Sequence, residues 1–313
     1  MNLNTILFDQ IGRLRSGFRI AAFLALFILM AGSLSIILAS VIGSMNIGVG
    51  EGSLLASSVN SLVIIVSALV CGWLCGKLLE KDLPFRYTGA WFTKGWLKHL
   101  IYGCVLGTAA FTIAVAAAAA FGGLSLTLNP EFGTASIPVS VLSAFVIFAF
   151  GAALEEALFR GYVLQTLVRS GWVWLGIAIT AIPFGIVHLG NPDAKLISTL
   201  NTVLAGVWLG IAYLKTRDLW FVWGMHLAWN WVQNSIFGIE VSGLNFTSSP
   251  LLKEIDRGPE WMTGLNYGLE GGISVTVALI VAILLTHYAP GIKPDEELIE
   301  FTNGSSKINP SES

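Results

Sequence analysis

The hydrophobic positions of this chain fall into long runs rather than into the narrow stripes of a soluble protein. The runs span about 19–43, 54–79, 99–122, 138–168, 172–189, 194–214, 219–237 and 271–288. Each is long enough for an α-helix to cross a bilayer, which takes roughly 17–25 residues. The pattern predicts an all-α, polytopic integral membrane protein with about eight transmembrane helices. Ahead of the first run, Ile6, Leu7, Ile11, Leu14 and Phe18 recur at helical spacing beside Arg13, Arg15 and Arg19. Residues 1–18 therefore read as an interfacial amphipathic helix. The first run is too long for the apolar region of a signal peptide and reads as a retained span.

The polar punctuation completes the organisation. Residues 19–137 hold helices 1–3, and 138–240 hold helices 4–7. Residues 241–289 supply an outer loop and helix 8, and 290–313 form a polar tail predicted to be disordered. The stretch from Lys81 to Lys98 is basic and aromatic, as suits a loop on the membrane surface. The Ala-rich run 115–120 with Gly122-Gly123 predicts close helix approach at the end of helix 3. The 238–270 loop is the longest and could lid the outer face.

Composition agrees with this reading. The chain has 313 residues, 55% hydrophobic and 12% charged, against about 25% charged in a soluble domain. Its net charge of −2 gives no nucleic-acid footprint. Cys71, Cys75 and Cys104 lie in or near apolar runs and read as packing residues, not as a disulfide framework or zinc site. With the N-terminus inside, thirteen Lys and Arg residues fall on the cytoplasmic side and only Lys195, Lys253 and Arg257 outside. The positive-inside rule thus predicts an N-in, C-in topology.

Against this background Glu155-Glu156-Ala157-Leu158-Phe159-Arg160 stands out. A charge at the bilayer centre costs about 2.5–3.5 kcal/mol on insertion scales, so three ionisable groups in six residues need partners. Glu156 and Arg160 are spaced for an intrahelical ion pair, and Glu155 points about 100° away. Phe184 and His188 share a face of helix 5, and His226 and Asn230 share a face of helix 7. At 1.5 Å per residue, Glu155 lies roughly 21 Å from the cytoplasmic end of its helix, and His188 roughly 24 Å. His226 lies roughly 12 Å from its end and Asn230 roughly 18 Å. All four could meet in one layer of a core about 30 Å thick. His99 and His287 sit at span ends, where interfacial or capping roles are expected.

The residue types suggest the chemistry. A buried carboxylate and an imidazole around one water make a general base. A second histidine and an amide can donate to a tetrahedral oxyanion. The set suits hydrolysis of an amide or ester. The same His188, His226 and Glu155 could instead hold Zn²⁺ with an open position; no HExxH is present.

Glu155-Glu156-x-x-x-Arg160, Phe184-x-x-x-His188 and His226-x-x-x-Asn230, in this order on successive apolar helices, resemble the motifs of the CPBP intramembrane proteases. That family includes the type II CAAX prenyl endopeptidases and the bacteriocin self-immunity (ABI) proteins. The resemblance covers residues 138–240 and implies a catalytic core within the membrane. It implies that Glu155 and His188 activate the water and that His226 and Asn230 stabilise the oxyanion. Glu156 and Arg160 would hold the site, with Phe184 supporting it. It implies a membrane-associated peptide or protein as substrate, prenylated or of CAAX type in some members. Either a Zn²⁺ ion or a glutamate without metal would drive the reaction. Two other readings compete: a non-catalytic immunity or binding protein on the same fold, and a transporter, against which the lack of repeat symmetry counts.

Overall fold

The structure, a computed structural model, describes residues 6–9, 11–44, 54–81, 83–121, 123–246, 249–289 and 291–302. Six of its helices are long and apolar enough to cross a membrane. They are α1 (Ser16–Ser44), α2 (Leu54–Leu79), α3 (Trp96–Ala120), α4 (Ser136–Arg169), α5 (Val173–Gly190) and α6 (Leu196–Thr216). Two shorter helices fill the remaining apolar runs. They are α7 (Leu219–Trp231), which continues as a π-helical turn over Val232–Ile236, and α8 (Ile273–Tyr288). The protein is thus an all-α, multi-pass integral membrane protein, and its helices begin and end within a turn of the hydrophobic runs.

Helix α7 lies at the centre. Phe221, Val222 and Met225 are wholly buried. Its tightest neighbour is α3, where Gly103 faces the Phe221 carbonyl and Gly107 the Met225 carbonyl, while Gly224 faces the Leu100 carbonyl. A Cβ at any of the three would collide with backbone. In lipid, where burial against tails gives little advantage, such backbone-to-backbone packing of small residues drives helix association. Ala110, Ala114 and Ala118 continue the same buried face. The close approach therefore begins earlier on α3 than the Ala-rich run suggested; Gly122 lies outside the described residues.

Polar ties fix the angle of α7. Asp218 caps its N-terminus by accepting from the Trp220 amide at 2.8 Å, and its other oxygen meets His99 Nδ1 at 2.6 Å. His99 itself caps neither helix; it holds the capping Asp218 and so joins α3 to α7. On the far side, Trp223 donates to the Ala149 carbonyl at 2.8 Å, and Trp231 to the Val141 carbonyl at 3.0 Å. Both acceptors lie on α4. The small-residue theme recurs where Gly206 of α6 abuts Ala181 of α5.

Three segments differ from expectation. Residues 8, 9 and 11–15 do not continue a helix. Phe8 bridges to Leu14, Gly12 takes a positive φ of 73°, and the Asp9 carboxylate accepts from the Arg13 amide and guanidinium. The aspartate side chain replaces a helical turn with a local loop. The stretches 124–128 and 252–256, both read as loop, pair as antiparallel strands β1 (Leu124–Leu128) and β2 (Leu252–Asp256), with Leu126 opposite Glu254. The start of the tail is ordered: Glu296–Thr302 forms a helix, α9, with Leu298 and Thr302 wholly buried. Gln165 donates to the Thr302 carbonyl at 3.1 Å. Residues 303–313 lie outside the described residues.

On β2, the Glu254 carboxyl is pushed up to about 8, by burial first and then by the neighbouring Glu240 and Asp256 carboxylates. Its folded value lies above its ordinary value of 4.5. The carboxyl therefore favours the fold while protonated, and that contribution is lost as pH rises from about 4.5 to about 8. The melting temperature of the purified protein should fall across this window, and Glu254→Gln should flatten the fall. Differential scanning fluorimetry on both proteins measures the difference.

Candidate active site

The site begins at a change of helical register in α4. The segment is α-helical through Glu156, then π-helical over Ala157–Leu164, before returning to α-helix at Gln165. Wide turns of this kind cluster at functional sites. Here the change falls directly after the two glutamates. Arg160 remains within reach of Glu156, with Nη1 to Oε1 at 3.1 Å. Its Nη2 donates to the Gly206 carbonyl at 3.1 Å. The same glycine that lets α5 approach α6 thus offers its carbonyl to the guanidinium. Arg160 has no exposed surface, and Glu156 is 1% exposed.

Glu156 has a second partner. The oxygen that accepts from Arg160 also lies 2.8 Å from His226 Nδ1. The sequence reading made Glu156 the partner of Arg160 alone. In the fold it is a junction between α4 and α7, and it sets which face His226 turns to the cavity. The other imidazole nitrogen, Nε2, stands 3.8 Å from Glu155 Oε2. Glu155 therefore makes its ion contact with His226 rather than with His188, the partner expected for it.

His188 owes its position to a helix end. The α-helical part of α5 stops at Val187, and His188–Gly190 forms a single tighter turn. The His188 Nδ1 donates back to the Phe184 carbonyl at 2.7 Å, satisfying one of the acceptors that a helix terminus leaves open. A carbonyl can only accept, so Nδ1 carries the proton and a neutral His188 has its lone pair on Nε2. Phe184 links the set. Its ring lies 4.8 Å from the Arg160 guanidinium, 5.1 Å from the His188 ring and 5.9 Å from the His226 ring.

Glu155, His188, His226 and Asn230 all line one cavity of about 340 Å³, at the lower end of the roughly 300–1,000 Å³ of ligand pockets. Its remaining wall is mostly apolar and includes Phe148, Ala152, Trp208 and Leu279. Glu155 Oε2 is buried and has no hydrogen-bond partner among the described residues. That oxygen is turned toward His226 Nε2 at 3.8 Å, while the Glu155 side chain as a whole, 30% exposed, lines the cavity.

A second carboxylate lines the cavity without having been singled out in the sequence. Glu270 accepts from Trp229 Nε1 at 2.9 Å and from the Ser242 amide and hydroxyl, both at 2.7 Å. Gly268 brings it there. It has a positive φ of 79° and sits against the Glu240 carbonyl, where a side chain would collide. Asn201 of α6 holds the same turn through the carbonyls of Glu270 and Gly272, each at 2.9 Å. The available signal was an acid between Gly268 and the Gly271-Gly272 pair, immediately before an apolar run. Trp229, the donor to Glu270, is also a wall of the cavity.

For a metal, the donors present do not fit. Among the described residues no three His, Cys, Asp or Glu side chains converge closely enough to hold an ion.

Residues 137–232 match the family model described as type II CAAX prenyl endopeptidase Rce1-like. The match covers about a third of the chain, from the first turn of α4 to the end of α7, and contains all seven residues of the three motifs. No curated protein and no solved structure matches.

The geometry separates the two glutamates by experiment. Glu156→Gln leaves a buried guanidinium without its charge partner, and such losses cost about 3–5 kcal/mol. Glu155→Gln alters a half-exposed cavity wall and should change stability by no more than about 0.5 kcal/mol. Unfolding of both variants in detergent, followed by tryptophan fluorescence, checks the contrast.

Proposed function

We propose, from an Rce1-like domain of the CPBP/CAAX protease family at residues 137–232, that the protein is an intramembrane endopeptidase. It would hydrolyse a peptide bond in a membrane-associated protein or peptide by means of water activated by Glu155 and His188. The observation that carries this reading is the convergence of the Glu155 carboxylate, two imidazoles and an amide on one cavity.

In the proposed reaction a water lies between Glu155 and His188. The Nε2 lone pair of His188 orients it, and the Glu155 carboxylate takes a proton as the water oxygen attacks the carbonyl carbon. The carbonyl π pair moves onto oxygen, and the resulting oxyanion accepts from the Asn230 side-chain amide and from Nε2–H of His226, which is protonated on both nitrogens and whose charge Glu156 balances at Nδ1. As the C–N bond breaks, the proton on Glu155 passes to the departing nitrogen. Glu156, fixed by Arg160, holds His226 by Nδ1 so that Nε2 faces the substrate. The apolar wall keeps bulk water away and strengthens each of these interactions. A cavity that opens among membrane helices suits a substrate delivered by a lipid-anchored or membrane-inserted segment. A carboxyl-terminal CAAX-type segment is the narrowest form of that class.

Purified protein should cleave a prenylated CAAX-type peptide presented in liposomes. Glu155→Gln should lower the rate about 10²–10⁴-fold, and Asn230→Ala about 10²–10³-fold, with the helical circular dichroism signal of both unchanged. A chelator should leave the wild-type rate within about twofold, because the donors do not close around an ion. Full activity in Glu155→Gln would overturn the assignment.

A further inference from the structure

A second cavity, of about 640 Å³, lies away from the catalytic one, where the turn before α1 meets the end of α4 and the start of α5. Four guanidinium groups line it: Arg13, Arg15, Arg19 and Arg169. Two carboxylates balance part of this charge. Asp9 pairs with Arg13 at 3.0 Å. Glu80, with no exposed side-chain surface, pairs with Arg13 at 3.3 Å and with Arg19. Among the described residues, the four guanidinium groups outnumber these two carboxylates. Lys81 adds a further positive charge at the rim, where its ammonium donates to the Ile11 carbonyl.

Arg19 is 1% exposed, yet it forms part of the cavity wall. Its Nη2 donates to Ser170 at 2.9 Å, and its Nε has no acceptor among the described residues. Membrane-spanning helices begin at Ser16 and Val173 and end at Arg169, so the cavity sits at the border of the apolar layer. The same border exposes Phe18, Trp172 and Leu175, at 44%, 57% and 45%. The positive-inside bias of the sequence places this border on the cytoplasmic face.

We propose that this cavity binds the phosphate-bearing headgroup of an anionic phospholipid of the cytoplasmic leaflet. Arginine forks match phosphate oxygens in geometry and in charge. Basic pockets between transmembrane helices on the cytoplasmic side hold such headgroups. The exposed aromatic and aliphatic residues at the rim lie where the acyl chains would leave the headgroup, which favours a lipid over a free oxyanion. The occupied site would brace the turn over 8–15 against α4 and α5, joining the start of the chain to the helix that carries Glu155.

The test uses the full chain in detergent, titrated with dioctanoyl phosphatidylglycerol, dioctanoyl phosphatidylcholine or inorganic phosphate, with melting temperature as the readout. Phosphatidylglycerol should raise it saturably, and phosphatidylcholine and phosphate at the same concentrations should not. Arg15→Gln, an exposed position, should keep the fold and weaken the apparent affinity for phosphatidylglycerol about fivefold. Lys253→Gln, on β2 away from this site, should leave it unchanged. Equal shifts with the two lipids would overturn the proposal. So would saturation by phosphate, which would make a free oxyanion the ligand, or an unchanged affinity in Arg15→Gln.

Discussion

One carboxylate oxygen, Oε1 of Glu156, holds the arrangement together. It accepts from Arg160 on its own helix and meets His226 from α7. A buried carboxylate is tolerable only with such partners, and a buried guanidinium only with such a carboxylate. Arg160 passes the constraint on to α6 through the Gly206 carbonyl and to α5 through the Phe184 ring. Four helices thus converge on a single ion pair. Gly206 lets α5 and α6 come this close, and Gly103, Gly107 and Gly224 seat α7 against α3. The small residues and the buried charges belong to one solution: the glycines bring the backbones together, and the charges make only one register of that contact satisfactory.

This arrangement leaves Glu155 with a surplus of capacity. It sits one residue before the junction and lines the cavity, with one oxygen 3.8 Å from His226 Nε2 and without a hydrogen bond among the described residues. His188 and His226 are each held by Nδ1, one by a carbonyl and the other by a carboxylate. Both therefore turn Nε2 away from their anchors, the geometry that water activation and oxyanion binding ask of them. Glu270, fixed by three donors, closes the cavity as a structural acid.

Much of this was legible in the sequence because the bilayer makes its rules strict. A run of apolar residues must be a helix, since lipid offers no partner for a bare amide; hence the close agreement of α2 and α4 with their runs. An ionisable residue in such a run must be paired, which brought Glu155, Glu156, Arg160, His188 and His226 forward. The partner choices were less legible. Spacing along a helix shows which residues share a face, but whether His226 meets Glu155 or Glu156 depends on helix rotation, and the π-helical turn at Ala157 alters that rotation without a composition signal. Outside the bilayer the rules loosen. The turn over 8–15 follows from one aspartate, β1 and β2 pair across more than a hundred residues, and α9 is ordered by docking Leu298 and Thr302 rather than by its own propensity. Glu270 was hidden for the same reason, in a loop whose path depends on Gly268.

The most direct measurement is a double-mutant cycle on the junction itself. Stability would be compared for wild type, Glu156→Gln, Arg160→Met and the double variant. The account predicts that the two single losses fail to add, with a coupling of about 2 kcal/mol or more between the sites. Additive losses, with a coupling below about 0.5 kcal/mol, would show that the Glu156 carboxylate does not organise the site and would contradict the account.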